Sequence, residues 1–192
     1  MGRLDVVAVG DVEESLMEIM ERRAAESLGL EPRRRPALPV PGGAWDPERR
    51  QYESSTVLRS VVQAPAGPDP TRVLAVTEID LFIPMLTFVF GQAQLEGPVA
   101  LVSLARLRQE FYGLPPDPAV LRARAVKEAL HEMGHTFGLS HCPDGRCAMA
   151  LSHNVRQIDT KGSDYCDGCR VLIEERRAAR PGGGAGSRED FR

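Results

Sequence analysis

Residues 131–142, HEMGHTFGLSHC, contain three of the four histidines of this 192-residue chain. His131 and His135 are four residues apart, so on a helix they share a face, where two imidazoles can bind one ion at about 2 Å each. His141 cannot join them if the helix continues, because ten residues would carry it about 15 Å beyond His131. Glycine ends helices in the left-handed conformation without a Cβ penalty. The stretch therefore predicts a helix that ends near Gly138 and a turn that returns His141 as a third ligand.

The ligand type and the neighbouring glutamate indicate a catalytic metal site. Three neutral imidazoles leave one position of a tetrahedral zinc ion open for water. Glu132, next to the first ligand, is placed to take a proton from that water as a general base. The alternative is a partly buried polar helix face, which is the more common meaning of a histidine pair at this spacing. The glutamate, the glycine and the third histidine together favour zinc.

All four cysteines follow closely, as Cys142-x4-Cys147 and Cys166-x2-Cys169. Two closely spaced pairs with turn-forming residues between the partners are typical of a closed four-thiolate zinc site. The alternatives are two disulfides or free buried thiols. Because Cys142 directly follows His141, we expect the cysteine-bound zinc to fix the segment that delivers the third histidine. The sequence thus predicts two zinc ions per chain, one catalytic and one structural.

The motif HExxHxxGxxH resembles the signature of the metzincin peptidases, which also have a methionine-containing turn beneath the zinc, and Met149 is well placed to supply it. With C-x4-C-x-M and CxxC added, the sequence resembles the archaemetzincin (archaelysin) family. The resemblance implies a substrate cleft with zinc at its floor, lined by an antiparallel edge strand that pairs with extended peptide. Residues 86–94, LTFVFGQAQ, would be that strand, although they could instead be buried in the sheet. The resemblance also implies aminopeptidase-like activity.

The remaining pattern predicts an α/β (α+β) fold with a mixed twisted sheet, backing helices, an active-site helix and an irregular zinc-stabilised C-terminal part. We expect one domain over residues 1–175, with an upper part at 1–138, a lower part at 139–175 and a flexible tail at 176–192. The predicted strands are 4–9, 37–40, 72–82, 86–94 and 97–107. The predicted helices are one that ends at Gly29, one that begins at the Asp46-Pro47 cap and runs through Val61, and one that begins at the Asp117-Pro118 cap.

Charge and hydropathy limit the partners. The net charge of −3 gives no general attraction to nucleic acid, and no stretch approaches the ~20 apolar residues of a membrane span. We therefore expect a soluble cytoplasmic monomer, with residues 33–35, RRR, in a solvated loop. His153 is expected on an exposed loop rather than at the substrate, and Tyr165 packed against the cysteine site rather than stabilising an oxyanion.

The predicted function is zinc-dependent hydrolysis of peptide bonds, with short peptides favoured if the 31–45 loop narrows access to the cleft. The alternative is a non-catalytic zinc-binding module, in which the cysteines hold the fold and the histidines buffer metal or dock a partner. The two hypotheses differ at Glu132, which is indispensable to the enzyme and replaceable in the module.

Overall fold

A five-stranded mixed sheet forms the centre of the chain in a computed structural model that describes residues 2–64 and 72–179. Its strands, numbered in chain order, are β1 (Arg3–Val9), β2 (Glu31–Arg34), β5 (Arg72–Thr77), β7 (Gly91–Ala93) and β8 (Val99–Ser103). Their spatial order is β2-β1-β5-β8-β7, and only β7 runs antiparallel to its neighbour. The antiparallel strand therefore lies at one edge of the sheet, as predicted for the segment that contains it.

The two faces of the sheet are covered by different helices because alternate side chains of the strands point in opposite directions. Helices α1 (Glu14–Leu28) and α3 (Pro118–Thr136) share one core with Leu74 and Val76 of β5. Helix α2 (Ser54–Gln63) packs on the other face with Val73 and Ala75. The three central strands β1, β5 and β8 are thus buried on both sides, which explains their nearly continuous apolar sequences.

Two predicted helix ends are confirmed. Gly29 follows α1 with φ 58°, and its N–H donates to the main-chain carbonyls at the end of that helix. The Asp117 carboxylate accepts hydrogen bonds from the N–H groups of Ala119 and Val120 at the start of α3. These two helix ends could be predicted from the sequence because the capping groups lie within three residues of the helix.

The prediction for residues 31–40 was wrong. Residues 31–34 form β2, whereas Leu38 makes only an isolated bridge to Val9. Asp5, fully buried in β1, accepts hydrogen bonds from Arg33 at 2.8 and 2.5 Å. This ion pair ties residues 31–34 to the sheet edge despite their proline. The side chains of residues 33–35 are all partly buried and each pairs with a carboxylate, so the three arginines are not in a solvated loop.

The helix predicted from Asp46 begins eight residues later, at Ser54. The Asp46 carboxylate does accept hydrogen bonds, from the N–H groups of Glu48 and Arg49, but they close a turn. Strands β3 (Trp45–Asp46) and β4 (Gln51–Glu53) flank that turn and form a small second sheet with β6 (Leu81–Phe82).

The remaining differences concern lengths. The strand predicted over 72–82 is split into β5 and β6, that over 86–94 is regular only in β7, and residues 105–107 form a short 3-10 helix. The C-terminal part, predicted as irregular, contains helices α4 (Val155–Thr160) and α5 (Asp167–Ala178). Helix α5 runs three residues into the predicted tail, and residues 180–192 lie outside the described residues.

Among the helices that the structure describes, none is long and apolar enough to cross a membrane.

Candidate metal centre and active-site cleft

Helix α3 and the turn after it bring the three predicted histidines together. The Nε2 atoms of His131 and His135 are 3.2 Å apart. Two atoms that each lie about 2 Å from one tetrahedral ion are separated by about 3.3 Å, so this spacing fits a shared zinc. Gly138 adopts φ 77° after the last turn of α3, and the chain reverses there. One ring nitrogen from each of the three histidines lies within 4.8 Å of the others, His141 being the most exposed.

The orientation of two imidazoles is set by main-chain carbonyls. The Nδ1–H of His131 donates to the carbonyl of Ala148 at 2.9 Å, and that of His135 donates to the carbonyl of Leu139 at 2.7 Å. This tautomer leaves the Nε2 lone pairs free to bind a metal. Burial lowers the pKa of His131, His135 and His141, which favours the neutral, ligating form of each ring.

Glu132 lies in the same cleft as the histidines. Its side chain packs so closely against β7 that an ideal Cβ on Gly91 would be 2.7 Å from its Oε1. Burial raises the pKa of Glu132 well above its usual range, the Glu128 carboxyl adds to this, and the Lys161 ammonium opposes it. A glycine at position 91 is thus what lets this carboxylate sit against the edge strand.

The cleft has a volume of about 600 Å³ and runs between the edge strand and the loop after Met149. Residues 86–93 and 95 form one side, and Leu151, Ser152 and His153 form the other. The floor is formed by Glu128, His131, Glu132, His135 and His141. The predicted edge strand therefore lines the cleft, and the T-shaped pair of Phe88 and Phe90 belongs to its wall.

The four cysteines form a second cluster, and all four are free thiols. The sulfur atoms of Cys142 and Cys166 are 3.8 Å apart, and all four lie within 4.8 Å of one another. Two sulfur atoms at about 2.3 Å from one tetrahedral zinc would be separated by about 3.8 Å. The N–H groups of Cys166 and Met149 point to the sulfur of Cys147, at 3.3 and 3.4 Å. Such donors stabilise thiolates, so the cluster suits a closed metal site better than disulfides.

Met149 lies against the active-site helix. It is fully buried, and its sulfur would be 2.2 Å from an ideal Cβ on Gly134, so the two residues fit only because position 134 has no side chain. Tyr165 is buried beside them and donates its hydroxyl to the carbonyl of Leu130 at 2.6 Å, which agrees with the packing interpretation. His153 is exposed and lies at the rim of the cleft.

Two buried charged residues beside the site were missed. The ammonium of Lys161 is 2.7 Å from the Glu128 carboxylate and 3.4 Å from Nδ1 of His131. Glu128 stands one turn before Glu132, which could have indicated a shared helix face. Nothing near Lys161 in the sequence indicates burial.

Comparison with known proteins places the chain in a family. The model of "Peptidase family M54" matches residues 69–175. An archaemetzincin from Methanocaldococcus jannaschii is 41% identical over 174 residues, which cover 91% of this chain and 94% of the relative. The chain belongs to peptidase family M54, the archaemetzincins. The resemblance to the archaemetzincin family is therefore confirmed.

The folds agree as well. The crystal structure of an archaemetzincin from Methanopyrus kandleri has a TM-score of 0.82 and 35% identity, with coverage of 92% of this chain and 96% of that one. A structure described as a zinc-dependent peptidase from Methanocorpusculum labreanum has a TM-score of 0.78 and 32% identity, with coverage of 88% and 99%. The predicted fold class is confirmed, and this archaemetzincin is a metallopeptidase with two clusters of metal-ligating side chains.

Proposed function

We propose that this archaemetzincin hydrolyses short peptides in an aminopeptidase-like manner, with His131, His135 and His141 as zinc ligands and Glu132 as general base. The observation that carries the proposal is the 3.2 Å spacing of the His131 and His135 Nε2 atoms, with a ring nitrogen of His141 within 4.8 Å, in a cleft that also contains a buried carboxylate. The zinc-dependent peptidase from Methanocorpusculum labreanum, whose fold this chain shares, supports the choice of metal.

The two donor sets suit zinc in different roles. Three neutral imidazoles leave a coordination position open, as catalytic zinc requires, whereas four thiolates close the coordination sphere, as structural zinc requires. We therefore propose two zinc ions per chain, the second held by Cys142, Cys147, Cys166 and Cys169. The N–H donors to Cys147 support a thiolate ligand there.

The chain's own residues supply the proton transfers. Zinc at the three imidazoles would supply a Lewis acid for the scissile carbonyl and lower the pKa of the attacking water. Glu132 accepts a proton from that water at a carboxylate oxygen and passes it to the amine nitrogen that leaves. The contact with Gly91 restricts the orientations of this carboxylate, so it stays aimed into the cleft.

The substrate is proposed to bind as an extended strand beside β7. This strand is at the sheet edge and borders the cleft, so a peptide can add main-chain hydrogen bonds there. A cleft of about 600 Å³ falls in the range of small-ligand sites, which favours short peptides. The 31–45 segment does not narrow access to the cleft, so it is not the reason for this preference. Strand β2 lies at the opposite sheet edge, and no residue of 31–45 is among the described residues that line the cleft.

A peptide-library screen of zinc-reconstituted protein tests the proposal. We expect cleavage by the wild type and a loss of at least about 100-fold in Glu132→Ala, since general-base catalysis contributes about 10²–10⁴-fold. Glu174→Ala, which removes an exposed carboxylate on α5, is the matched control and should cleave normally. No cleavage by the wild type, with Glu132→Ala indistinguishable from it, would favour the non-catalytic zinc module. The monomeric state, the lack of nucleic-acid binding and the cytoplasmic location stay predictions.

A further inference from the structure

A buried ion pair lies beside the histidine cluster. Glu128 lies on α3 one turn before Glu132, and Lys161 follows the last residue of α4. Their charged groups are 2.7 Å apart, and their side chains are only 3% and 1% exposed. Ion pairs this deeply buried are weak contributors to stability, because desolvation of the two charges offsets their attraction. Stability alone therefore gives a poor account of this pair.

The segment that carries Lys161 also bonds to the main chain of the residue whose carbonyl orients His131. The N–H of Gly162 donates to the carbonyl of Arg146 at 3.0 Å, and the N–H of Ala148 donates to the carbonyl of Asp164 at 2.9 Å. The carbonyl of Ala148 in turn accepts a hydrogen bond from the Nδ1–H of His131. A continuous set of contacts thus runs from Glu128 through Lys161 and residues 162–164 to Ala148 and the imidazole.

Lys161 also pairs with a carboxylate that would otherwise be a free acceptor near His131. Its ammonium contacts both the Glu128 carboxylate and Nδ1 of His131, at 2.7 and 3.4 Å. A carboxylate left unpaired at this place would attract the Nδ1–H of His131 away from the carbonyl of Ala148. Because Lys161 pairs with Glu128, the imidazole keeps its main-chain acceptor and its Nε2 stays directed at the other histidines.

We infer that Lys161 and Glu128 are positioning residues for His131: the pair fixes the main-chain acceptor of this imidazole and thereby sets the zinc affinity of the histidine site. The inference rests on the proposed function only in taking His131 as a zinc ligand. It gives Lys161 no contact with substrate. Partners that orient a ligating histidine typically change metal affinity about 10–100-fold when they are replaced.

The structure offers a matched control pair. Arg124, one turn before Glu128 on α3, donates to Asp159 of α4 at 2.7 and 2.8 Å. This pair joins the same two regions as Lys161 and Glu128, and the Arg124 guanidinium donates to Asp159 and the carbonyl of Leu107 rather than to a histidine. Asp159→Asn therefore perturbs the packing of α4 on α3 without touching His131.

The test measures zinc affinity at the histidine site by chelator competition, with the cysteine site loaded. Lys161→Met leaves a buried carboxylate unpaired and can unfold the chain, so the decisive variant is the neutral Glu128→Gln, Lys161→Met double substitution. We expect about 10–100-fold weaker binding in the double variant, unchanged binding in Asp159→Asn, and one zinc retained at the cysteines in both. The ¹⁵N signal of the His131 Nδ1–H should also shift in the double variant only.

Wild-type zinc affinity and an unchanged Nδ1–H signal in a folded double variant would overturn the inference. An equal loss of affinity in Asp159→Asn would overturn it too, since general packing would then explain the effect. Failure of the proposed function is seen separately, as a wild type that binds zinc at the histidines and cleaves no peptide. That result would leave the positioning role intact because the readout is metal affinity.

Discussion

His141 and Cys142 are consecutive residues whose side chains belong to two different clusters of metal ligands. The N–H of Cys142 also donates to the carbonyl of Met149 at 2.9 Å, which ties this junction to the turn beneath the active-site helix. His131 is linked to the same turn through Ala148, the neighbour of Cys147. Two of the three imidazoles are thus held by main chain that the cysteine cluster organises.

The cysteine cluster should therefore control catalysis from a distance. We predict that Cys166→Ser, Cys169→Ser loses the cysteine-bound zinc and most peptidase activity, although His131 and His135 are intact. Folding that depends on a bound metal is weakened when its ligands are removed, so the turn that carries His141 loses its order. Activity and metal content of the purified variant are the measurements. Full activity with one zinc lost would contradict the coupling of the two sites.

Position 91 should tolerate no side chain. In Gly91→Ala the new Cβ would lie 2.6 Å from Cγ of Glu132 and 2.6 Å from the main-chain carbonyl oxygen of Leu101. We predict a fall in kcat of at least about tenfold with zinc content unchanged, because a displacement of about 1 Å at a catalytic group is costly.

Gly43→Ala is the control for that substitution, since nothing lies within 4 Å of its Cβ position. It should match the wild type in kcat, zinc content and Tm. A normal kcat in Gly91→Ala would show that the contact between Glu132 and β7 does not position the general base.

Two helical glycines should respond to alanine with opposite signs. Gly134→Ala drives a methyl group into the sulfur of Met149, and overpacking of this kind costs about 1–3 kcal/mol. Gly168→Ala, in α5, meets nothing within 4 Å and should stabilise the chain by up to about 1 kcal/mol through helix propensity. Denaturant unfolding of the zinc-loaded proteins measures both changes. A stabilising Gly134→Ala would contradict the tight packing of Met149 on α3.

The metal clusters could be predicted from the sequence because their signals are local and chemically specific. The spacing of His131 and His135 is that of one helical turn, and Gly138 marks the reversal that brings back His141. The ends of α1 and α3 were predictable for the same reason, since their capping groups lie next to the helices in the chain.

The errors arose where a distant partner decides the local structure. Residues 31–34 form a strand because Arg33 pairs with Asp5 in β1, which no local pattern reveals. Asp46 makes the hydrogen bonds expected of a cap, yet the sheet formed by β3 and β4 uses them to close a turn. Lys161 is buried because its ammonium pairs with the carboxylate of Glu128, which lies on α3.

The most direct test of the two-site account is zinc stoichiometry after reconstitution, measured by elemental analysis on the wild type and on the His131→Ala, His135→Ala double variant. We expect two zinc ions per chain in the wild type and one in the variant, held by the four cysteines. One zinc ion in both proteins would contradict the presence of two sites, since the histidines would then hold no stable metal.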